Sequence, residues 1–582
     1  MNRAINWISD HRSVDPEKPW LTWLAFGAMH APHHVAPEWI EKYKGQFDMG
    51  WDKYREQTLA RQKKMGIVPQ NTELAPMLEG VQKWDDLSAD EKRLFARMAE
   101  IYAGYMEHTD AQIGKLVQFL EKTEQLENTM IFVCIGDNGS SGEGTLNGLF
   151  NEQSIGNMAA DTLEQNLARI DQLGQPGSYN HYPVGWALAG NTPYKLCKQY
   201  THFGGTRNPL VIHWPHGIKA KGELRTQFHH VIDVVPTILE AIGIEAPKNI
   251  NSSQQAPIEG VPMNYSFENA KAPTNHPTQY FEMLGNRGLY HEGWKVVTYH
   301  GRKPWENVAA WDFDHDHWEL YNLAEDPAEA NDLMEGRDRA NLDDPIVKKC
   351  LELVTLWWAE AGKYQVLPLD DRFQVRALGR EGLYAERQKM TYYEGAIRIQ
   401  PFEAPQTLNR SWIMSAEVEI PDSAMDGNAQ GPIAALGGNC SGWSLYLKNS
   451  VPVFCYNFSG TEYTYIRGSA PIPPGRHEVR YEFEKTGKEP FGAGGTGRLY
   501  VDGKKVAVGQ IKRTCPIGYT LDETFDIGWD KGTPVSEEYG PNSKFSGKII
   551  RVNFDVKPDL HPEAKDPQKN AEMKMAHALL RQ

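Results

Sequence analysis

The stretch MIFVCIGDNG, Met130 to Gly139, decides how the chain is read. It is an apolar run rich in strand formers that stops at Asp137, Asn138 and Gly139. The pattern predicts a buried strand that delivers a carboxylate and an amide to its C-terminal mouth. Carboxylate and amide oxygens suit a hard cation, Ca²⁺ or Mg²⁺, and the glycine lets the backbone turn away at once. Strand-Asp-Asn-Gly is also an ordinary turn, so this stretch alone leaves both readings open.

Upstream, AINWISDHR reads as a helix. Trp20 to Gly27, WLTWLAFG, reads as an apolar strand that breaks into a loop carrying His30, His33 and His34. That histidine spacing fits zinc poorly, so the economical reading is one imidazole in a pocket and the others on the loop surface. Glu38 to Arg61 and Ser88 to Leu126 are predicted helices. In the second, Phe95, Met98, Ile101, Tyr105, Leu116 and Leu120 form a core-facing stripe. Strand, helix, strand predicts a parallel α/β unit with its functional groups at strand C-termini.

Downstream, Ser140 to Asn191 is a long Gly- and Asn-rich excursion of the kind that walls a pocket. Lys195, Lys198 and His202 precede the Gly204-Gly205 turn, followed by a strand at Leu210 to Trp214. Phe228 to Gly243 reads as a buried helix with Asp233 as a cap, Gln279 to Tyr299 as a hairpin turning at Glu292-Gly293, and Pro345 to Gly362 as a closing helix. The acidic and histidine-rich run from Asp312 to His317 reads as a solvated loop. From Val375 helical periodicity gives way to short alternating strands, which predict an all-β sandwich of jelly-roll type with a type I′ hairpin in YVDGKKVA. The expected domains are 1–365, 370–556 and a polar tail over 557–582.

Composition sets outer limits. The 582 residues carry a net charge of -15, which argues against a general nucleic-acid binder, and no apolar run approaches a membrane span. The six cysteines make no CxxC pair; Cys440 and Cys455 read equally as a disulfide or as buried thiols. The N-terminus has no basic region followed by an apolar core, so it does not read as a signal peptide, and the chain is expected to begin inside a domain.

Five motifs in order, from AINWISDHR through IGDNGSSGEGTLNGLFNE, THFGGTRNPLVIHWP and HHVIDVVPTILEAIGI to WELYNLAEDPAEANDL, resemble the type I arylsulfatase family over roughly residues 2–362. The resemblance implies an alkaline-phosphatase-like α/β fold with one bound Ca²⁺, Mg²⁺ being the less favoured ion. It implies Asp137 and Asn138 as metal ligands, His30 as the histidine that assists the leaving group, and Lys198 as the lysine on a sulfate oxygen. Lys195 is the rival for that lysine, and His202 is expected to line the same pocket. The family's nucleophile is a formylglycine made from the cysteine of C-x-P-x-R or C-x-A-x-R. Cys134, Cys197, Cys350, Cys440, Cys455 and Cys515 all lack that context, so no nucleophile is assigned here.

The family's Asp-Asp ligands, its arginine and its Lys-x-His pair are expected before Met1, along with the formylglycine. Loss of one whole block implies an N-terminally incomplete sulfatase domain, inactive by itself and completed by an N-terminal sulfatase segment. A full-length member is expected to be periplasmic or secreted and to act on a small sulfate ester or a sulfated carbohydrate. Two rival readings are a phosphate or phosphonate monoester hydrolase of the same superfamily and a non-catalytic carbohydrate-binding protein. The latter would use Trp412, Trp443, Tyr446, Tyr456 and Tyr463 as a stacking platform, unless those rings are core.

Overall fold

The computed structural model describes residues 1–157, 159–306, 312–371, 387–422, 429–489 and 492–557. The boundary expected at 365–370 sits beside one undescribed stretch, and nearly all of the expected tail lies outside the described residues.

The first half is built on a long helix. Helices α1 (Asn2–Val14), α2 (Gly50–Met65) and α3 (Ala89–Lys122) match the expected periodicity, except that the Glu38 helix breaks into short turns before α2. A reciprocal cap starts α3: Glu91 N–H donates to Ser88 Oγ at 3.2 Å, and Ser88 N–H donates to Glu91 Oε2 at 2.7 Å. Its buried stripe of Leu94, Phe95, Met98 and Ile101 packs with Trp51, Trp84 and Trp186. Strand β1 (Ile131–Cys134) follows and pairs with β2 (Leu210–His213).

Three expectations fail in this region. Among the described residues β1 pairs with β2, antiparallel, and not with Trp20 to Gly27, so strand-helix-strand does not make a parallel unit. Trp20 to Gly27 is extended but unpaired. Trp20 and Leu24 pack on Ile8, Leu116, Leu120 and Ile131, while Leu21 and Trp23 point outward, Trp23 being 89% exposed. Helix α4 (Val234–Ile242) is not buried: of its nine residues only Thr237 is enclosed, and Ile242 is 58% exposed. A segment apolar on both faces needs cover on both faces. Here one face of 20–26, of the β1–β2 pair and of α4 has none among the described residues. β1 itself is half-buried and ends in an exposed Cys134.

Next comes a four-stranded antiparallel sheet in the order β3 (Thr278–Met283), β4 (Asn286–His291), β5 (Trp294–Thr298), β6 (Trp318–Asn322). The β4–β5 turn uses Glu292 and Gly293 at φ +46° and +83°, as expected for a type I′ hairpin. Helix α5 (Pro345–Lys363) covers this sheet with Val347, Leu353 and Trp357 against Leu289, Val296 and Leu320.

The C-terminal region is a two-sheet β-sandwich. Its strands are β7 (Lys389–Tyr392), β8 (Trp412–Ile420), β9 (Gly431–Gly438), β10 (Ser441–Lys448), β11 (Val451–Phe458), β12 (Glu462–Arg467), β13 (Gly475–Lys485), β14 (Ala493–Val501), β15 (Lys504–Arg513), β16 (Phe525–Ile527) and β17 (Lys548–Val556). One sheet runs β15-β14-β13-β8-β17-β7 and the other β12-β11-β10-β9-β16. Alternate residues of β8 (Trp412, Met414, Ala416, Val418, Ile420) are buried between the sheets, which is the period-2 signal the sequence carries.

The sandwich is fastened to the Ser140–Asn191 excursion by buried polar side chains. Asn151 Nδ2 donates to the carbonyls of Cys440 and Ser459, both at 3.1 Å. Gln153 Nε2 donates to Asp522 Oδ1 at 2.9 Å, and Asn157 Nδ2 to Gly518 O at 3.0 Å.

Candidate anion and metal site

The glycines put the two conspicuous loops in contact. Gly139 has φ +81°, and a Cβ there would lie 1.9 Å from Gly204 O, so the loop after β1 rests on the Gly204-Gly205 turn. Gly139 N–H donates to Asn208 Oδ1 at 3.2 Å, and Ser140 N–H to Asn191 Oδ1 at 2.9 Å. Lys198 N–H donates to Ser140 O at 3.0 Å, which ties the lysine loop to the same segment.

His30 and Lys198 come together from opposite ends of this half of the chain. Lys198 Nζ lies 3.4 Å from His30 Nε2. His30 Nδ1 is 2.9 Å from the Ala31 carbonyl, which can only accept, so Nδ1 carries the hydrogen and Nε2 faces the lysine. Lys198 also donates to Glu143 Oε2 at 2.8 Å. Glu143 accepts further from Ser141 Oγ at 2.8 Å and from Gln199 Nε2 at 2.9 Å. Burial by itself would raise the Glu143 carboxyl, but the charge and hydrogen bond of Lys198, with help from Ser141, outweigh it and bring it down to about 2.

Lys195 and His202 belong to a different cluster. Lys195 Nζ donates to Glu319 Oε2 at 2.8 Å and to Tyr321 Oη at 2.9 Å, and His202 Nε2 donates to the same Glu319 oxygen at 3.1 Å. Burial pushes Glu319 up, yet His202 and Lys195 together hold it well below the usual carboxylate range. So of the two candidate lysines only Lys198 reaches His30, and His202, expected in the same pocket, is spent on Glu319.

The other histidines also differ from expectation. His33 is buried among Tyr102, His181 and Tyr182. Burial, followed by the neighbouring His181, His30 and His34, pulls its pKa well down. His34 Nε2 donates to Ser178 O at 2.7 Å. Neither is a free group on the loop surface.

Asp137 and Asn138 stand exposed at the mouth of β1, between Gly136 and Gly139, both at positive φ. Their donor chemistry fits a hard cation, but such an ion takes about six to eight oxygens. Among the described residues no group of three or more His, Cys, Asp or Glu is arranged to hold a metal.

Several other readings resolve. All six cysteines are free, Cys440 and Cys455 as buried thiols. Trp412, Trp443 and Tyr456 lie in the sandwich core, and Tyr446 is covered by Tyr539, so these rings form no exposed platform. Asp316 is not a solvated loop residue: its carboxylate is buried against His300 at 2.9 Å and pairs with Arg287. Asp233 does not cap α4 with its side chain. It accepts from His276 Nδ1 at 2.9 Å, His229 Nδ1 at 3.0 Å and Val261 N–H at 2.9 Å.

Sequence reasoning missed Glu143, Glu319 and Glu329. Glu143 carried a faint signal, an acid inside a glycine-rich loop just after Asn138. Glu319 and Glu329 lie in the quoted WELYNLAEDPAEAND run and have no signal of their own until the sheet folds against residues 194–206.

Known proteins share parts of this sequence. Residues 1–244 match the Sulfatase family, and residues 196–355 match the C-terminal part of N-sulphoglucosamine sulphohydrolase. An uncharacterised sulfatase of Schizosaccharomyces pombe is 28% identical over 377 residues, covering 64% of this chain and 63% of that protein. The arylsulfatase of Klebsiella aerogenes is 30% identical over 285 residues, covering 49% of this chain and 57% of that one. A structure reported for Bacteroides fragilis as a sulfatase superposes with a TM-score of 0.35 at 14% identity, over 62% of this chain and 57% of that one. The chain thus spans about three-fifths of the curated relatives it matches. Residues 1–244 thus belong to a sulfatase domain, and a sheet-rich region follows the matched residues.

Proposed function

We propose that the chain is the larger part of an arylsulfatase-like sulfuric ester hydrolase, with residues 1–365 as its sulfatase domain and 370–556 as an appended sandwich. The substrate is a small sulfate ester or a sulfated carbohydrate. What carries this reading is the 3.4 Å approach of Lys198 Nζ to His30 Nε2 beside the Asp137-Asn138 loop. A sulfate ester is a tetrahedral anion whose cleavage pushes charge onto its bridging and peripheral oxygens. Lys198 offers a cation to a peripheral oxygen. His30, with Nδ1–H fixed on Ala31 O, presents Nε2 as the atom that, once it has taken up a second proton, would hand that proton to the departing alcohol. Asp137 and Asn138 would hold a Ca²⁺, whose charge would draw in the sulfate oxygens.

None of the six cysteines has the formylglycine context, so the nucleophile must come from outside these residues. A complementing sulfatase segment would also cover exposed apolar side chains such as Leu21, Trp23, Ile135, Val211, Val235 and Ile242. Burying such side chains stabilises by roughly 1.5–3 kcal/mol each. The purified chain is therefore expected to show no turnover of an aryl sulfate, and to gain it on addition of a separately expressed segment bearing the C-x-P-x-R motif. Turnover by this chain alone would end the proposal.

A further inference from the structure

We propose that Glu143 is a positioning residue that locks Lys198 against His30. It joins the loop after β1 to the lysine loop, so that the two form one rigid anion-binding edge. This rests on the reading of Lys198 as the sulfate-contacting lysine.

A lysine on a loop has three donors on a flexible four-carbon stem, and its ammonium wanders unless something fixes it. Glu143 supplies what is needed from three directions. Its Oε2 takes Lys198 Nζ at 2.8 Å and Ser141 Oγ at 2.8 Å, and its Oε1 takes Gln199 Nε2 at 2.9 Å. Ser141 belongs to the β1 loop and Gln199 to the lysine loop, so the carboxylate bridges the two. Its own backbone is pinned as well: Glu143 N–H donates to Ser141 Oγ at 3.2 Å. The lysine side chain is only 16% exposed, so the ion pair is largely screened from water and holds better than a surface pair. The remaining Lys198 donors are left for His30 Nε2 and for an incoming oxyanion.

The opposite reading is that Glu143 merely occupies the anion seat and competes with substrate. The two readings differ in sign. If Glu143 positions the lysine, its removal frees Lys198 and weakens anion binding. If it competes, its removal strengthens anion binding.

The test uses the purified 582-residue chain and Glu143→Ala, Glu143→Gln and Glu143→Asp variants. Lysines are acetylated with an activated ester, and each site is followed by peptide mass spectrometry, with and without inorganic sulfate. Lys195 is the internal control, because its partners Glu319 and Tyr321 are untouched. Loss of a charge-assisted hydrogen bond is expected to speed Lys198 labelling about ten-fold in Glu143→Ala. Glu143→Gln keeps one acceptor oxygen but loses the charge and the second acceptor, so it should fall between wild type and alanine, whereas Glu143→Asp is too short to bridge the two loops and should behave like alanine. Lys195 labelling should not move in any variant. Sulfate should protect Lys198 in wild type and in Glu143→Gln, and fail to protect it in Glu143→Ala.

Unchanged Lys198 labelling in both Glu143→Ala and Glu143→Asp would overturn the proposal, as would stronger sulfate protection in Glu143→Ala. Faster labelling with no sulfate protection in any variant would uphold the positioning role and defeat the sulfate-site reading instead. Should Glu143→Ala fail to fold, the contrast between Glu143→Asp and Glu143→Gln decides the matter alone.

Discussion

Glu329→Gln is the substitution that most sharply tests how the second sheet supports the site. Lys295 and Glu329 are both fully buried, and Nζ lies 2.6 Å from Oε1. The other carboxylate oxygen accepts from Phe203 N–H at 2.6 Å, and the ammonium sits 3.7 Å from the Phe203 ring centre. The pair therefore holds the turn that carries Gly204 and Gly205. Glutamine keeps an oxygen for Phe203 N–H but turns a donor NH2 toward the Lys295 ammonium, so both the charge and the acceptor facing Lys295 are lost. Breaking a buried pair by removing one partner costs about 3–5 kcal/mol, whereas replacing both partners with groups of similar volume is often close to neutral. Glu329→Gln should thus lose about 3–5 kcal/mol of local stability at neutral pH, and Lys295→Met combined with Glu329→Gln should recover most of it.

The pH dependence has a definite sign. Burial pulls Lys295 down to about 8 despite Glu329, below the roughly 10.4 of an unfolded lysine. Between those values the unfolded chain binds more protons, so wild-type stability rises with pH across that window. Without Glu329 the folded value falls further, the window opens toward lower pH, and the mutant's deficit narrows as pH is raised. Hydrogen exchange of the amides in residues 286–298 reads this local stability directly. A Glu329→Gln protein within about 0.5 kcal/mol of wild type, or a double mutant as unstable as the single one, would refute the reasoning.

Three other outcomes are expected. Asn151→Ala removes two buried hydrogen bonds between the excursion and the sandwich, and should raise amide exchange over 149–180 by the equivalent of about 1–3 kcal/mol, with the sandwich core strands unaffected. Gly139→Ala forces a Cβ into Gly204 O at positive φ, so the Asp137 loop must shift; the melting temperature should fall by several degrees, about 1–2 kcal/mol or more. Burial lowers His300, but its hydrogen bond to Asp316 and the nearby Asp371 carboxylate outweigh it and raise its pKa to about 9. Its stabilising share is complete below the unfolded value of roughly 6.5 and is lost as pH climbs through about 9; Asp316→Asn should flatten that loss in melting curves.

Local signals were legible wherever local physics decides. The stripe along α3, the Glu292-Gly293 turn and the alternation in β8 are each written within a few neighbouring residues, and each element formed as read. The ordered motifs also pointed to the sulfatase family, which the matched residues bear out. What the sequence by itself determined was thus the family, the helices and the sandwich strands, because periodicity and turn chemistry act over short spans. The tertiary structure alone decided the rest. Trp20 to Gly27 has strand-like composition but no partner to pair with, and a strand exists only in a ladder. Which of the two lysines stands beside His30 follows from the fold: Lys198 pairs with Glu143, 55 positions away, and Lys195 with Glu319, 124 positions away. Composition at the lysine itself carries no trace of a partner that distant, since the charge pairing is made by the fold and not by the neighbours in the chain.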